Sequence, residues 1–306
     1  MKIKSLMALM ILPIAFTSCS SSGGDDEPSQ QPNQPEKPET VKKEIKIGTT
    51  ILTRATDTGF DANDRAGLFV VNRGAGNVSN ELTATGNHVN NMRFTYNGTW
   101  TPDSPIYWSD DNTHADFYFY FPYKSGITDV KAMPFSVATD QSTEGKYKAS
   151  ELLIGSTKDV APTESSVRIN VAHALSQMVV VVAAGNGFTT ESLAAANVSV
   201  AINGVKTSAT VDIASAAVTA TGETQVINPW LADGTYKALI VPQTVEETNL
   251  ITVNVDGRDF NLKKGFTFLS GKSHKFTVTV SKTSSGVNVD ITQWDTDGVD
   301  NGGVAE

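Results

Sequence analysis

After Lys43 apolar and polar residues alternate along most of the chain. Ile45, Ile47, Thr49 and Ile51 occupy every second position, the period of a half-buried strand. Ala66–Val71 is a short apolar run, and from Asp116 onward Phe117, Phe119 and Phe121 alternate with Tyr118 and Tyr120. A strand with aromatic residues on both faces is expected at the centre of a sheet covered on each side. Pro122 is expected to end it, because proline has no N–H to give to a ladder.

The second half reads the same way. Val167, Ile169 and Val171 alternate, and the run Met178–Ala184 stops at Gly185-Asn186-Gly187. Val198, Val200 and Ile202 lead into Asn203-Gly204, and Ile251, Val253 and Val255 into Asp256-Gly257. Both dipeptides favour the positive φ angles of a two-residue turn, so a hairpin is expected at each. Phe266 to Val280 and Val287 to Trp294 continue the strand pattern, and short helices are expected only near Glu151–Ile154 and Glu191–Asn197. Strands that each bury one face do so by stacking sheets. The expectation is an all-β protein with two β-sandwich domains in tandem, residues 44–165 and 166–306.

The N-terminus follows different rules. Lys2 and Lys4 precede an apolar core from Leu6 to Phe16, the layout of a secretory signal peptide over residues 1–18 and too short to span a bilayer. Phe16-Thr17-Ser18-Cys19 resembles the lipobox of bacterial lipoproteins, with Phe where Leu is usual. That resemblance implies lipid on Cys19, the single cysteine of 306 residues. Several acyl chains make a stable anchor. A lone cysteine also rules out an intrachain disulfide. Residues 19–43 are rich in Ser, Gly, Asp, Glu, Gln and Pro and lack aromatic residues, a composition expected to form a disordered tether. Within it Gly23-Gly24-Asp25-Asp26-Glu27 resembles the acidic signal that routes Bacteroidetes lipoproteins to the outer face of the outer membrane. An ordinary solvated linker has the same charge pattern.

The formal net charge is −9. Phosphate binding needs a basic patch and none is visible, so a nucleic-acid partner is not expected. His88, His114, His173 and His274 lie far apart, and none has a second ligand at metal spacing. His173 reads as a packed structural residue. Asp295–Asn301 carries closely spaced carboxylates without the spacing of an EF-hand loop. No catalytic motif appears. The expectation is a non-enzymatic protein without cofactor or metal. Trp100, Tyr107 and Trp108 cluster between strands near Pro102 and Pro105, where aromatics more often serve as hydrophobic cover over a sandwich edge, but if exposed they could stack on sugar rings. A surface glycan-binding lipoprotein of a polysaccharide-uptake system is therefore the competing expectation.

Several ordered blocks together resemble the fimbrillin family of Bacteroidetes surface lipoproteins. They are Thr53-Arg54-Ala55-Thr56-Asp57-Thr58 with Phe60, Asp64–Phe69, Trp100-Thr101-Pro102 with Ile106-Tyr107-Trp108, and Ala115–Tyr123. Asp140–Thr143, His173-Ala174-Leu175-Ser176 and Ile291-Thr292-Gln293-Trp294 complete the set. The resemblance implies two transthyretin-like β-sandwich domains, exported as a lipoprotein and assembled with other fimbrial subunits into adhesive fimbriae on the outer membrane, as stalk, anchor or tip. Host or bacterial surfaces would supply the adhesion ligands. It further implies proteolysis at an arginine, matched here by Arg54, which removes an early strand carrying Ile45, Ile47 and Ile51. A neighbour's strand would fill the groove, and Val287, Val289 and Ile291 are the candidate donor residues. Arg54 reads equally as an ordinary strand-end arginine, and Val287–Trp294 reads more readily as the protein's own last strand.

Overall fold

A computed structural model describes residues 42–52 and 59–282, and the backbone of 303–305. The strands are β1 Ile47–Ile51, β2 Arg65–Asn72, β3 Val89–Tyr96, β4 Trp100–Pro102, β5 Ala115–Phe121, β6 Met133–Ser136, β7 Leu153–Val160 and β8 Val167–His173. They continue with β9 Ser176–Ala184, β10 Val198–Asp212, β11 Ala217–Ile227, β12 Trp230–Ala232, β13 Thr235–Ile240, β14 Gln243–Val255, β15 Arg258–Phe268, β16 Ser273–Val280 and β17 Gly303–Ala305. Two short helices, α1 Glu144–Lys148 and α2 Thr190–Ala195, interrupt them. The protein is all-β with several sheets.

Seven strands form one sheet in the order β1-β8-β7-β5-β2-β3-β4. β5 lies at its centre with both faces buried, as the doubled aromatic pattern predicts. Phe117 and Phe119 enter one core cluster together with Leu68, Val70, Phe94, Ile169 and Val171. Tyr118 and Tyr120 enter a second with Phe69 and Val71. The two edge strands of this sheet are tied to each other, since Trp100 Nε1 on β4 donates to Thr49 Oγ1 on β1 at 2.9 Å. The sheet therefore curls around the first cluster.

Two further sheets follow, β11-β10-β14-β15 with β6 beside β10, and β12-β13-β9-β16-β17. Val200, Ile202, Ile251, Val253, Phe260 and Leu262 of one share a core with Met178, Val180, Ala238, Ile240, Phe276 and Val278 of the other. This is the two-layer stacking that half-buried strands require. The same core continues to Tyr120 and Phe69, so the described residues make one compact unit. The expected division at 165/166 falls between β7 and β8, which are paired strands of one sheet, and β6 from the first half pairs with β10 of the second.

Local expectations fare unevenly. Asp256-Gly257 is a two-residue turn with φ of 48° and 86°, joining Val255 and Arg258 of β14 and β15. Asn203-Gly204 is not a turn. It lies inside β10, where Gly204 has φ 69° and the register with β11 shifts between Ile202 and Val205, so the positive φ serves a β-bulge. The helix expected near Glu151–Ile154 is also corrected: α1 ends before it, capped by the Thr143 side chain, and Leu153 already begins β7. α2 matches the second expected helix, with a Thr189–Ser192 capping box. Near the C-terminus Gly303–Ala305 adds as a parallel strand to Val278–Val280 of β16. Residues 1–41, including Cys19, lie outside the described residues, as do Arg54 and the stretch Val287 to Trp294 with its donor candidates Val287, Val289 and Ile291.

Candidate assembly site

The alternating stretch that precedes Arg54 in the sequence is held on both sides. β1 runs parallel to β8, with Ile47 opposite Val167 and Ile51 opposite Val171. Val167 N donates to Lys46 O at 2.8 Å, and Leu52 N to Val171 O at 2.8 Å. On the other side Ile45 N donates to Ile106 O at 2.8 Å and Trp108 N to Lys43 O at 2.9 Å. An antiparallel bridge between Glu44 and Tyr107 lies between these bonds. The sequence gives no local signal for this second contact, because it joins residues far apart in the chain.

Side chains complete the seat. Ile45 and Ile47 are buried in the cluster that holds Trp100, Trp108, Phe117 and Phe119, and Ile51 packs against its margin half-buried. Full burial of an isoleucine side chain contributes about 1.5–3 kcal/mol. Vacating β1 would therefore uncover apolar surface together with the unpaired edge of β8. The stretch 53–58 is flanked by exposed residues, Leu52 at 58% and Gly59.

The end of β1 opens on a cleft of about 900 Å³, lined among others by Ile51, Phe60, Asp64, Phe121, Tyr147 and His173. Burial raises the Asp64 carboxyl above its ordinary range, partly opposed by the Asp61 backbone N–H. His173 is buried, and its Nδ1 lies 3.0 Å from Glu151 Oε2. The other histidines stand apart: His88 Nε2 contacts Tyr107 O at 2.6 Å, and His114 Nδ1 contacts Asp159 Oδ1 at 2.7 Å. Burial, helped by the charge of Lys272, pushes His274 down to about 4. Among the described residues no three His, Cys, Asp or Glu side chains form a group able to hold a metal ion.

The aromatic trio does not form a sugar platform. Trp100 is 7% exposed and Trp108 2%. Their rings meet Phe119 and Phe117 edge-on at 5.2 and 5.6 Å. Their indole N–H groups are taken by Thr49 Oγ1 and Thr163 O. Only Tyr107, 43% exposed, reaches solvent. Both tryptophans are core residues beside β1, so the alternative of sugar stacking by Trp100, Tyr107 and Trp108 loses its two indole faces.

Residues 53–294 match a family model described as "Fimbrillin-like". The chain belongs to the fimbrillin-like family. A relative called "Putative fimbrium subunit Fim1C" from Bacteroides uniformis is 27% identical over 311 residues, spanning 96% of each chain. Among solved structures, a "putative cell adhesion protein" from Bacteroides uniformis superposes with TM-score 0.60 at 21% identity, over 78% of this chain and 93% of that one. A protein described in the same words from Bacteroides ovatus gives TM-score 0.61 at 16% identity, over 78% and 92%. At such identities the structural likeness is one of fold.

Proposed function

We propose that this fimbrillin-like chain is a structural subunit of a cell-surface fimbrium that assembles by strand exchange at the β1 site. Export as a lipoprotein acylated on Cys19 holds the precursor at the outer membrane. Cleavage at Arg54 then frees the residues before it, and β1 leaves its place beside β8. A strand from a neighbouring subunit, with Val287, Val289 and Ile291 as the candidate residues, fills the vacancy by β-augmentation. A subunit that is never cleaved keeps β1 and serves as the anchor. Adhesion to host or bacterial surfaces belongs to the same reading, which involves no catalytic step.

The observation that carries it is the seat of residues 45–51, with Ile45 and Ile47 buried in the core, β1 at the edge of its sheet, and exposed residues on either side of the stretch containing Arg54. The test is limited digestion with an arginine-specific protease, read by mass spectrometry and by size under native conditions. The expected result is a single early cut after Arg54 followed by a ladder of oligomers, both lost in Arg54→Ala. A cut at Arg54 that leaves only stable monomer overturns strand exchange.

A further inference from the structure

Most sheet edges among the described residues are guarded. β1 and β4 are tied by Trp100 and Thr49. β15 carries Arg258, Asp259, Lys263 and Lys264 along its length. β12 has three residues, and β17 lies along the end of β16. β11 is different. It is eleven residues long, stands at the edge of its sheet, and has a single charged residue, Glu223. Beyond its ladder to β10, the only backbone hydrogen bond from Ala217–Val226 among the described residues is Ala217 N–H to Ser215 Oγ in its own turn. A long uncharged edge is a template for another strand.

The register defines which part can serve. Ala217–Thr221 faces Ser208–Asp212 without interruption, and the first irregularity comes where Gly222, at φ 74°, bulges out of line. Val218 and Ala220 turn toward the core, whereas Ala217 and Thr219 are exposed. We propose that Ala217–Thr221 pairs antiparallel with the same segment of a second copy, about a twofold axis at Thr219. This register puts Thr219 opposite Thr219, Val218 opposite Ala220 and Ala217 opposite Thr221. Directly opposed residues share a face, so the inward pairs meet inward and the outward pairs outward. Glu223 falls beyond the paired segment, and no like charges are brought together. Gly222 meets the partner's turn without a side chain.

Five residues per chain make a small interface, weak between free molecules. Polymers that carry many copies would multiply it into lateral bundling. Because the chain has a net charge of −9, added salt strengthens the contact by screening. The contact does not depend on strand exchange at β1 and can be tested in the intact chain.

The chain carrying Cys19→Ser has no thiol, so Thr219→Cys introduces a unique one. Opposed residues on paired antiparallel strands lie within disulfide reach. Under mild oxidation the expected result is a covalent dimer forming about tenfold faster than with Ser199→Cys, an exposed residue of β10 outside the β11 ladder, and faster still with salt. Adding Thr221→Lys returns the rate to that of the control, with circular dichroism unchanged. Cross-linking of Thr219→Cys no faster than Ser199→Cys overturns the proposal, as does indifference to Thr221→Lys. If β11 instead accepts a strand of a different subunit, Thr219→Cys stays monomeric, which also overturns it.

Discussion

Trp100 Nε1 donates to Thr49 Oγ1 at 2.9 Å, joining the two edge strands of the seven-stranded sheet through side chains. The indole that holds this bond is itself wedged edge-on against Phe60 and Phe119. Trp100→Phe keeps most of the packing and removes the donor. The expected effect is a loss of about 0.5–1.5 kcal/mol, concentrated in β1. Hydrogen exchange of the Ile47–Ile51 amides checks this, and they should open before those of β5. Thr49→Val should act through the same bond, so the double variant loses less than the sum of the two.

Gly155 faces Val171 across the β7–β8 pair, and a Cβ added there would sit 2.2 Å from the backbone oxygen of Asn170. Backbone cannot step aside as a flexible side chain can. Gly155→Ala is expected to destabilise the fold by about 1–3 kcal/mol and to displace β8, the strand on which β1 rests. Gly145→Ala in α1 meets nothing within 4 Å and should be neutral or slightly stabilising. Denaturant melts of the two variants should therefore move in opposite directions or differ sharply in size.

Acid should weaken the fold in two steps. His274 is buried among Phe266, Phe268 and Phe276, and its folded pKa is pushed from the ordinary 6.5 down to about 4. The unfolded chain takes up the proton first, so stability is full above about 6.5 and falls as the pH drops toward 4, by roughly 2–3 kcal/mol. Asp116 follows at lower pH. Burial would raise its carboxyl, but hydrogen bonds from Arg73, the Asp159 N–H and Ser79 outweigh that and hold it below the usual range. Its contribution is present above about 4 and is lost as pH falls through the lowered folded value. Melting temperature followed against pH should lose its upper step in His274→Phe and keep the lower one. An unchanged upper step would assign it to another group.

The strands were legible because their signal is local. Ala115–Phe121 announced a central strand by its doubled aromatic periodicity, and Asp256-Gly257 announced a hairpin because little else takes two consecutive positive φ angles. Asn203-Gly204 carried the same local signal and became a bulge, since the preference for positive φ does not say whether the chain turns or only buckles. Leu153 and Ile154 lie where the sequence pattern suggests a short helix, yet the Thr143 cap places the helix earlier and sheet pairing claims them. Of the candidate site, Ile45, Ile47 and Ile51 could be named from alternation alone. Their contact with Ile106 and Trp108 could not, because pairing partners distant in sequence leave no periodic trace. The same distance hid the burial of Trp100 and Trp108, whose surroundings are supplied by strands on either side of them in the fold.

The chain enters the described fold at Lys43, and the first thing it meets there is the Trp108 N–H on its own carbonyl. Tension arriving from the preceding residues would load that bond first and then pull β1 lengthwise along β8. A lengthwise pull shares the load over the whole ladder at once, whereas a sideways pull breaks it rung by rung. The same strand therefore resists a pull along its axis better than one across it, where among the described residues the Trp100–Thr49 bond alone ties its far flank to β4.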